Sequence, residues 1–323
     1  HKATSPVGQQ ILAAHMKAVR MREIIPGTRA GEGEWDVQKS VEVLLKETPG
    51  RALELAEATK ERFGVFSTEW VVTLANGLAA ASAKAPSEQR EDLDALLYDD
   101  FRQELIERMK DEGSNLGLID AIIALTALRD AEAGWHALGG MHSDRVWRFV
   151  TVEPQGDDIL HHREKKRFRA VALPDAMKRW YAPGFDDSKW KEGQAPIGVG
   201  DFQKRNVTFK SESDWGDDEF LLARTTFDVA SLDFDFYRIS VLANQGFDLY
   251  LNGKKIETYV WWKNDPHYRK LMLSPGEVKH LKKGTNHLAV FAGSDYVKDV
   301  HVGQIDVYLE GLKKSDFLGS PTQ

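Results

Sequence analysis

The chain has 323 residues, 42% hydrophobic and 29% charged, which is enough for two domains with packed cores. It contains no cysteine, which excludes disulfides, thiolate metal sites and cysteine nucleophiles. A net charge of −7 argues against a nucleic-acid-binding protein, and no apolar run is long enough to predict a membrane-spanning helix.

The two halves of the chain differ in composition. Residues 1–150 carry 18 Lys and Arg, 24 Asp and Glu and 9 aromatic residues, whereas residues 151–323 carry 25, 26 and 23. The acidity therefore lies in the first half and the aromatic residues in the second. Because aromatic residues favour strands and binding surfaces, this change predicts two domains of different class.

The first 145 residues predict an all-α domain, because apolar residues recur at helical spacing between glycine and proline breaks. The predicted helices cover Gln9–Ile25, Asp36–Glu47, Thr48–Gly64, a segment after Ser67, Ser87–Glu112 and a segment around 118–125. Ser67 and Ser87 are predicted N-caps. Five or six helices with short links predict a helical bundle or a short solenoid of helical hairpins.

The second half predicts an antiparallel β-sandwich. Its aromatic and β-branched runs are typical of strands: 220–229, 236–243, 247–251, 255–260, 268–273, 287–292 and 304–309. Asn252-Gly253 lies between two of these runs and predicts a two-residue hairpin, because both residues tolerate positive φ. The last run alternates apolar and polar residues, which predicts a sheet with one buried side. Seven or eight short strands favour a sandwich or jelly roll.

Five segments of this half together resemble galactose-binding-like jelly-roll domains. They are FDDSKW (185–190), APIGVG (195–200), LLARTTFDV (221–229), FDLYLNGKKI (247–256) and LKKGTNHLAVFA (281–292). They occur in the order found in that family and extend the resemblance over about residues 146–312. The predicted fold class is therefore α+β and multidomain: a helical domain over 1–145, a jelly-roll sandwich over 146–312 and a tail over 313–323.

The resemblance implies a non-catalytic carbohydrate-binding or accessory module of a larger, exported multidomain protein. Such domains accompany glycoside hydrolases and occur in large bacterial extracellular proteins. The implied partners are a glycan or polysaccharide and other domains or subunits of an assembly, without nucleic acid or a membrane span. The implied location is extracytoplasmic: secreted, periplasmic or on the cell surface. A fold alone does not specify a function, so the site must be argued separately.

The stretch YVWWKNDPHYRK (259–270) is the predicted sugar site, because aromatic rings stack on the C–H faces of sugars and polar groups bind their hydroxyls. The predicted ligand residues are Trp261, Trp262, Asn264, Asp265, His267, Tyr268 and Arg269. Adjacent Trp residues in a strand point to opposite faces, so only one of the pair is expected to be an exposed platform. Core packing and an interdomain contact are the alternative roles of this stretch.

An acidic loop is a candidate site for a structural calcium ion, since carboxylates around a glycine turn are suitable ligands. The candidate ligands are Asp214, Asp217, Asp218 and Glu219. A solvated acidic loop is the alternative interpretation, and no other cofactor is predicted. Asp186 and Asp187 are predicted to make turn or capping bonds.

Two other functions stay open at the level of sequence. The chain is a structural or scaffolding subunit if both domains serve protein contacts. It is a fragment of a glycan-active enzyme if another domain completes its active site, because paired carboxylates alone suffice for glycoside hydrolysis. The nucleophile-elbow, zinc-protease and phosphate-loop motifs are absent from the sequence.

Overall fold

The structure is a computed structural model that describes residues 49–141, 144–156, 171–204, 207–260, 267–297 and 300–318. These residues combine helices with antiparallel and mixed sheets, so the predicted α+β class is confirmed. They form two units, 49–134 with 314–318, and 135–313. The sequence predicted the division at residue 145 and a separate tail from 313. The predicted helices over 9–25 and 36–47 lie outside the described residues.

The first unit is helical throughout its described part. Its helices are α1 (Ala52–Lys60), α2 (Thr68–Ser82), α3 (Ser87–Leu96), α4 (Arg102–Glu112) and α5 (Leu116–Thr126). A π-helical turn over Leu97–Phe101 joins α3 to α4, so the long helix predicted over 87–112 contains a local widening. The most apolar helix, α5, packs against α2 and α4.

Three helix starts show how local chemistry sets the boundaries. Ser67 accepts a hydrogen bond from the backbone N–H of Trp70, which confirms it as the N-cap of α2. The prediction for Ser87 is wrong: it is the first helical residue, and Pro86 occupies the N-cap position with extended backbone and no side-chain bond. Asn115, which the sequence analysis missed, caps α5 by accepting from the N–H of Leu118.

The described part of the second unit contains β-strands, one short α-helix, α6 (Pro275–Val278), and a 3-10 helical turn over Asp175–Met177. The strands are β1 (His136–Leu138), β2 (Val146–Val152), β3 (Lys191–Gln194), β4 (Ile197–Val199), β5 (Phe202–Lys204), β6 (Val207–Phe209), β7 (Ser213–Asp214), β8 (Phe220–Val229), β9 (Phe236–Ala243), β10 (Phe247–Leu251), β11 (Lys254–Tyr259), β12 (Tyr268–Met272), β13 (Gly284–Gly293), β14 (Asp295–Val297) and β15 (Val300–Leu312). A final helical turn, α7 (Ser315–Leu318), belongs to the first unit and packs on α5.

The described strands form two large sheets and a small one. A six-stranded sheet has the order β11-β10-β13-β8-β2-β3 and is antiparallel throughout. A seven-stranded sheet has the order β12-β9-β15-β4-β7, with β1 and β14 also paired to β15. Its β4–β7 pair is parallel, so the prediction of a purely antiparallel arrangement is wrong at this edge. β5 and β6 form the two-stranded sheet.

Both large sheets contribute side chains to one shared hydrophobic core. Alternate residues of β9 and β15, such as Val241 and Val307, meet alternate residues of β8 and β13, such as Ala223 and Val290. The hairpin between β10 and β11 turns at Asn252 (φ 49°) and Gly253 (φ 79°), as predicted from their tolerance of positive φ.

The outer face of the seven-stranded sheet is also buried along β15, which corrects the prediction of one buried side for this last strand. On β15 the polar residues Asp306, Tyr308 and Glu310 are each at most 8% exposed. They are tolerated because they are hydrogen-bonded: Glu310 accepts from Arg238 Nε and Nη2 at 2.7 and 3.0 Å. Ser240 donates to the same carboxylate, and the Trp135 ring centroid lies 4.1 Å from the guanidinium carbon of Arg238.

No helix in the described part of the chain has the length and apolar character needed to span a bilayer.

The buried Arg238–Glu310 pair should contribute strongly to stability. Glu310→Ala leaves Arg238 buried without its carboxylate, so we expect the free energy of unfolding to fall by about 3–5 kcal/mol. Asp233→Ala is the control, because the Asp233–Lys313 pair is exposed and should cost at most about 1 kcal/mol. Denaturant titration followed by circular dichroism measures both, and equal losses would contradict the account.

Candidate functional site

The predicted sugar segment is only partly described. Four of its seven residues lie outside the described part of the chain: Trp261, Trp262, Asn264 and Asp265. The other three are at its C-terminal end, where exposed His267 precedes Tyr268 and Arg269 at the start of β12. On the other side of the segment, β11 ends at Tyr259. The two strands are edges of different sheets, so the segment connects the seven-stranded sheet to the six-stranded one.

Tyr268 makes structural contacts on the outer face of the seven-stranded sheet. Its hydroxyl donates to Asp306 Oδ2 at 2.6 Å. Its ring centroid lies 5.5 Å from that of Phe209 and 5.3 Å from that of Tyr308. Burial, together with the neighbouring Asp306 carboxylate, raises the pKa of the Tyr268 hydroxyl far above its ordinary value. The hydroxyl therefore stays protonated as a donor to Asp306.

Arg269, Tyr259 and Phe247 form an edge clamp between the two sheets. Arg269 Nη2 donates to the Tyr259 hydroxyl at 2.6 Å, and its guanidinium carbon lies 3.9 Å from the Tyr259 ring centroid. The Tyr259 ring also stacks on the Phe247 ring, with 5.6 Å between the two centroids. Both ends of the predicted sugar segment are thus anchored, and Arg269 is used in the anchoring.

Two side chains of the acidic loop are engaged in local hydrogen bonds. Its candidate calcium ligands are Asp214, Asp217, Asp218 and Glu219. Asp214 accepts from the backbone N–H two residues on, and Asp218 accepts from the Thr151 hydroxyl at 2.6 Å. Glu219 is fully buried. Within the described ranges no three acidic or histidine side chains come together to hold a metal ion. The calcium site therefore stays a prediction from the sequence.

A pocket of about 360 Å³ lies on the outer face of the six-stranded sheet. Besides Thr225, whose hydroxyl bonds to the Val146 carbonyl, its polar lining residues come from four strands and from the segment before β3: Arg148, Asp187, Glu192, Arg224, Thr226 and His287. Strand register explains their proximity, because Glu192 pairs with Arg148, which pairs with Arg224. Thr226, two residues further on β8, pairs with His287 of β13. All of them lie on one face, since every second side chain of a strand points the same way.

The pocket exists because the outer face of this sheet is divided into an apolar and a polar half. The apolar half is covered by residues 171–190, whose Trp180 and Tyr181 pack against Tyr250 at centroid distances of 5.5 and 4.4 Å. The polar half carries the lining residues described above. The covering segment ends at the boundary between the halves, where Asp187 meets the polar side chains.

Asp187 joins two arginines in an ion-pair network. It accepts from Arg224 Nε at 2.7 Å through Oδ2, and its Oδ1 lies 3.6 Å from Arg148 Nη1. Arg148 also donates to Glu192 Oε1 at 2.6 Å. Two guanidinium groups and two carboxylates therefore balance, so the pocket carries no net charge from these groups when His287 is neutral.

Arg224 is only 6% exposed, yet one of its nitrogens is available to a ligand. Its Nη1 donates to the carbonyl oxygens of Trp180 and Ala182, and its Nε to Asp187. No described residue accepts a hydrogen bond from Nη2, although Arg224 lines the pocket. This nitrogen is open to the pocket, so water or a ligand oxygen can accept its hydrogen bond.

His287 adds an uncharged imidazole to the pocket. Burial lowers the pKa of His287, and the nearby cations Arg224 and Lys282 lower it further, against an opposing effect of Asp187. The ring is therefore neutral near pH 7 and has both a donor and an acceptor nitrogen.

The sequence analysis missed the pocket and assigned Asp187 a structural role. The turn bonds predicted for Asp186 are present, because it accepts from the Ser188 N–H. The Ser188 hydroxyl and this N–H both lower the pKa of Asp186. A usable signal was present: Arg148 is the one charged residue of β2, and Arg224 follows four apolar residues at the start of β8. A charge in such a place requires a partner, so it indicates a buried ion pair or a polar site.

No protein-family model and no curated protein matches the chain. Among solved structures, it is similar to a beta-glucuronidase from Bacteroides uniformis (TM-score 0.31, 14% identity, 56% of this chain and 18% of that one). A beta-glucuronidase from an uncultured Clostridium sp. is similar over 57% of this chain and 30% of that one (TM-score 0.33, 16% identity). The PA14 sugar-binding domain from an RTX adhesin is similar over 52% and 89% (TM-score 0.25, 10% identity). The match thus spans less than a third of either glucuronidase.

The lowered pKa of His287 predicts a pH dependence of stability. Because the folded pKa lies below the unfolded one, the contribution of the neutral ring is fully present above pH 6.5 and is lost as the pH falls toward the folded value. We expect the His287 ring to titrate below 6.5 by NMR, and His287→Gln to lose less stability than the parent chain on mild acidification. Titration of His287 at or above 6.5 would contradict this.

Proposed function

We propose that the second unit is a galactose-binding-like jelly-roll sandwich that serves as a non-catalytic carbohydrate-binding module. Its sugar site is the pocket formed by Arg148, Asp187, Glu192, Arg224 and His287. The observation that carries this proposal is a neutral pocket whose donors and acceptors are held in place by ion pairs, with Arg224 Nη2 bonded to no acceptor among the described residues.

Sugar recognition requires the combination of groups that this pocket offers. Hydroxyl groups both donate and accept, so guanidinium, carboxylate and imidazole groups at fixed positions suit them. The ion pairs hold these groups before a ligand arrives, which lowers the ordering cost of binding. Val146, 57% exposed at the rim, offers an apolar surface to the C–H face of a sugar ring. A volume of about 360 Å³ lies within the range of small-molecule sites, about 300–1,000 Å³.

Binding is better supported than hydrolysis. A glycoside hydrolase uses one carboxylic acid to donate a proton and a second carboxylate as base or nucleophile. In the pocket, Asp187 and Glu192 are each paired with a guanidinium group, which leaves neither free for proton transfer. The enzyme-fragment alternative would therefore need its catalytic groups from another domain or chain.

The predicted segment around residues 261–269 is a second candidate sugar surface. The edge clamp favours it, because Arg269 and Tyr259 fix both of its ends. In this proposal Trp261 or Trp262 supplies the stacking platform and Asn264, Asp265 and His267 supply hydrogen bonds.

The wider role follows from the sequence resemblance. We place the module in a larger, exported protein, with the helices of the first unit arranged as a bundle or short hairpin solenoid that contacts other domains. The scaffolding alternative assigns both units to protein contacts and predicts no carbohydrate binding.

Substitution of Asp187 tests the proposed site against its nearest neighbour in sequence. Asp187→Asn removes the charge that holds both arginines and should weaken carbohydrate binding at least about tenfold. Asp186→Asn is the matched control, because that side chain bonds only near Ser188 and should leave binding unchanged. A glycan array identifies a ligand, and isothermal titration calorimetry measures its affinity for each variant.

A second variant guards against loss of folding in Asp187→Asn. Glu192 is 56% exposed, so Glu192→Gln should keep the fold, verified by its circular dichroism spectrum, and still weaken binding. Binding that survives in both pocket variants but disappears in Trp261→Ala or Trp262→Ala moves the site to the predicted segment. Absence of binding to any glycan favours the scaffolding alternative.

A further inference from the structure

We infer that this pocket binds the neutral terminal unit of a carbohydrate chain end-on, and not an internal stretch of polymer or an acidic sugar. The inference rests on the proposed function, since it names the class of ligand that the same site takes. It follows from the path of the covering segment, from the charge balance and from the position of the free guanidinium nitrogen.

The covering segment closes one end of the pocket. The carbonyl oxygens of Trp180 and Ala182 lie on Arg224 of β8, Asp187 bridges Arg224 and Arg148 of β2, and the chain then enters β3. It therefore crosses the strands β8, β2 and β3 in turn along a single row of paired residues. A polymer running along the strands would meet this crossing, whereas an internal binding site needs a groove open at both ends.

The remaining lining residues lie on the side away from that crossing. Thr226 and His287 are paired with each other one step further along the strands, and Val146 stands in the same direction on β2. A sugar chain can thus enter over these residues and place its last ring against the arginine row. The cavity volume of about 360 Å³, near the lower limit for ligand sites, fits about one or two rings.

The charge balance selects an uncharged ligand. Each guanidinium group already faces a carboxylate: Arg224 faces Asp187, and Arg148 faces Glu192. A ligand carboxylate would lie close to those two acids without gaining an unmatched cation, and a ligand ammonium group would lie close to the arginines. Repulsion between carboxylates, or between an ammonium group and the guanidinium groups, opposes the binding of a charged ligand. The hydroxyl groups of a neutral sugar meet no such repulsion.

Arg224 Nη2 offers the ligand a donor that no described residue uses. The Arg224 side chain is only 6% exposed, and hydrogen bonds from Nε and Nη1 hold the guanidinium group in place. It donates only, so the group it binds must present an oxygen lone pair. A terminal hydroxyl meets this need and can donate its own proton to the neutral imidazole of His287 or to the hydroxyl of Thr226.

The experiment compares three ligand types on the whole chain by calorimetry. They are the methyl glycoside of the neutral sugar identified on the array, the corresponding uronic acid glycoside and longer oligosaccharides ending in the same neutral unit. We expect the neutral methyl glycoside to bind within about threefold of the oligosaccharides, and the uronic acid at least about tenfold more weakly. Thr226→Val should weaken the neutral glycoside, while Asp186→Asn should not.

The possible failures are distinguishable. An affinity that rises more than about tenfold with chain length, or a preference for the uronic acid, overturns this inference and leaves carbohydrate binding intact. Carbohydrate binding that is unaffected by Thr226→Val, Glu192→Gln and Asp187→Asn places the ligand elsewhere and also overturns it. Failure of every glycan to bind overturns the proposed function and this inference together.

Discussion

The buried guanidinium of Arg224 is the constraint on which the second unit's candidate site depends. A charge placed in an apolar strand needs several hydrogen-bond partners, because leaving it unpaired costs several kcal/mol, on the order of 3–5. Those partners come from one segment, which supplies carbonyl oxygens at Trp180 and Ala182 and a carboxylate at Asp187. Meeting the needs of Arg224 therefore also brings the covering segment onto the sheet.

That arrangement produces two environments on one face of the six-stranded sheet. On one side of the Arg224 row, Trp180 and Tyr181 seal Tyr250 and its apolar neighbours from water. On the other side the same row is the end wall of the pocket. The seven-stranded sheet uses related chemistry on its outer face, where the Arg238–Glu310 pair makes a buried polar row tolerable. In that sheet Arg238 Nε and Nη2 both donate to the Glu310 carboxylate, so the polar row on β15 has a structural role.

Much of the strand framework was predictable from local patterns. Runs of aromatic and β-branched residues identified β8, β9 and β10 over the residues they occupy, and the Asn252-Gly253 turn required only the φ preferences of those two residues. Short strands such as β3 and β4 carry too few residues to show a period. The strand β2 was not predicted, because Arg148 interrupts its apolar pattern. The double burial of β15 was unpredictable, because polar alternation indicates a solvated face unless the partners of those side chains are known.

The candidate site was less predictable than the fold. The aromatic-rich segment drew attention to Tyr268 and Arg269, yet the structure engages both in contacts within the sheets and the edge clamp. The pocket arises from residues far apart in sequence, which strand register brings into adjacent positions. Only the isolated arginines pointed to it, and their partners could not be inferred without the pairing of the strands.

The central claim is that a neutral sugar binds against the Arg224 row. A crystal structure of the chain with a neutral methyl glycoside tests it most directly. We predict electron density for the sugar in the pocket, with one of its oxygens within hydrogen-bond distance of Arg224 Nη2 and its ring near Val146. A sugar found instead at residues 261–269, with the pocket filled by water alone, would contradict the account.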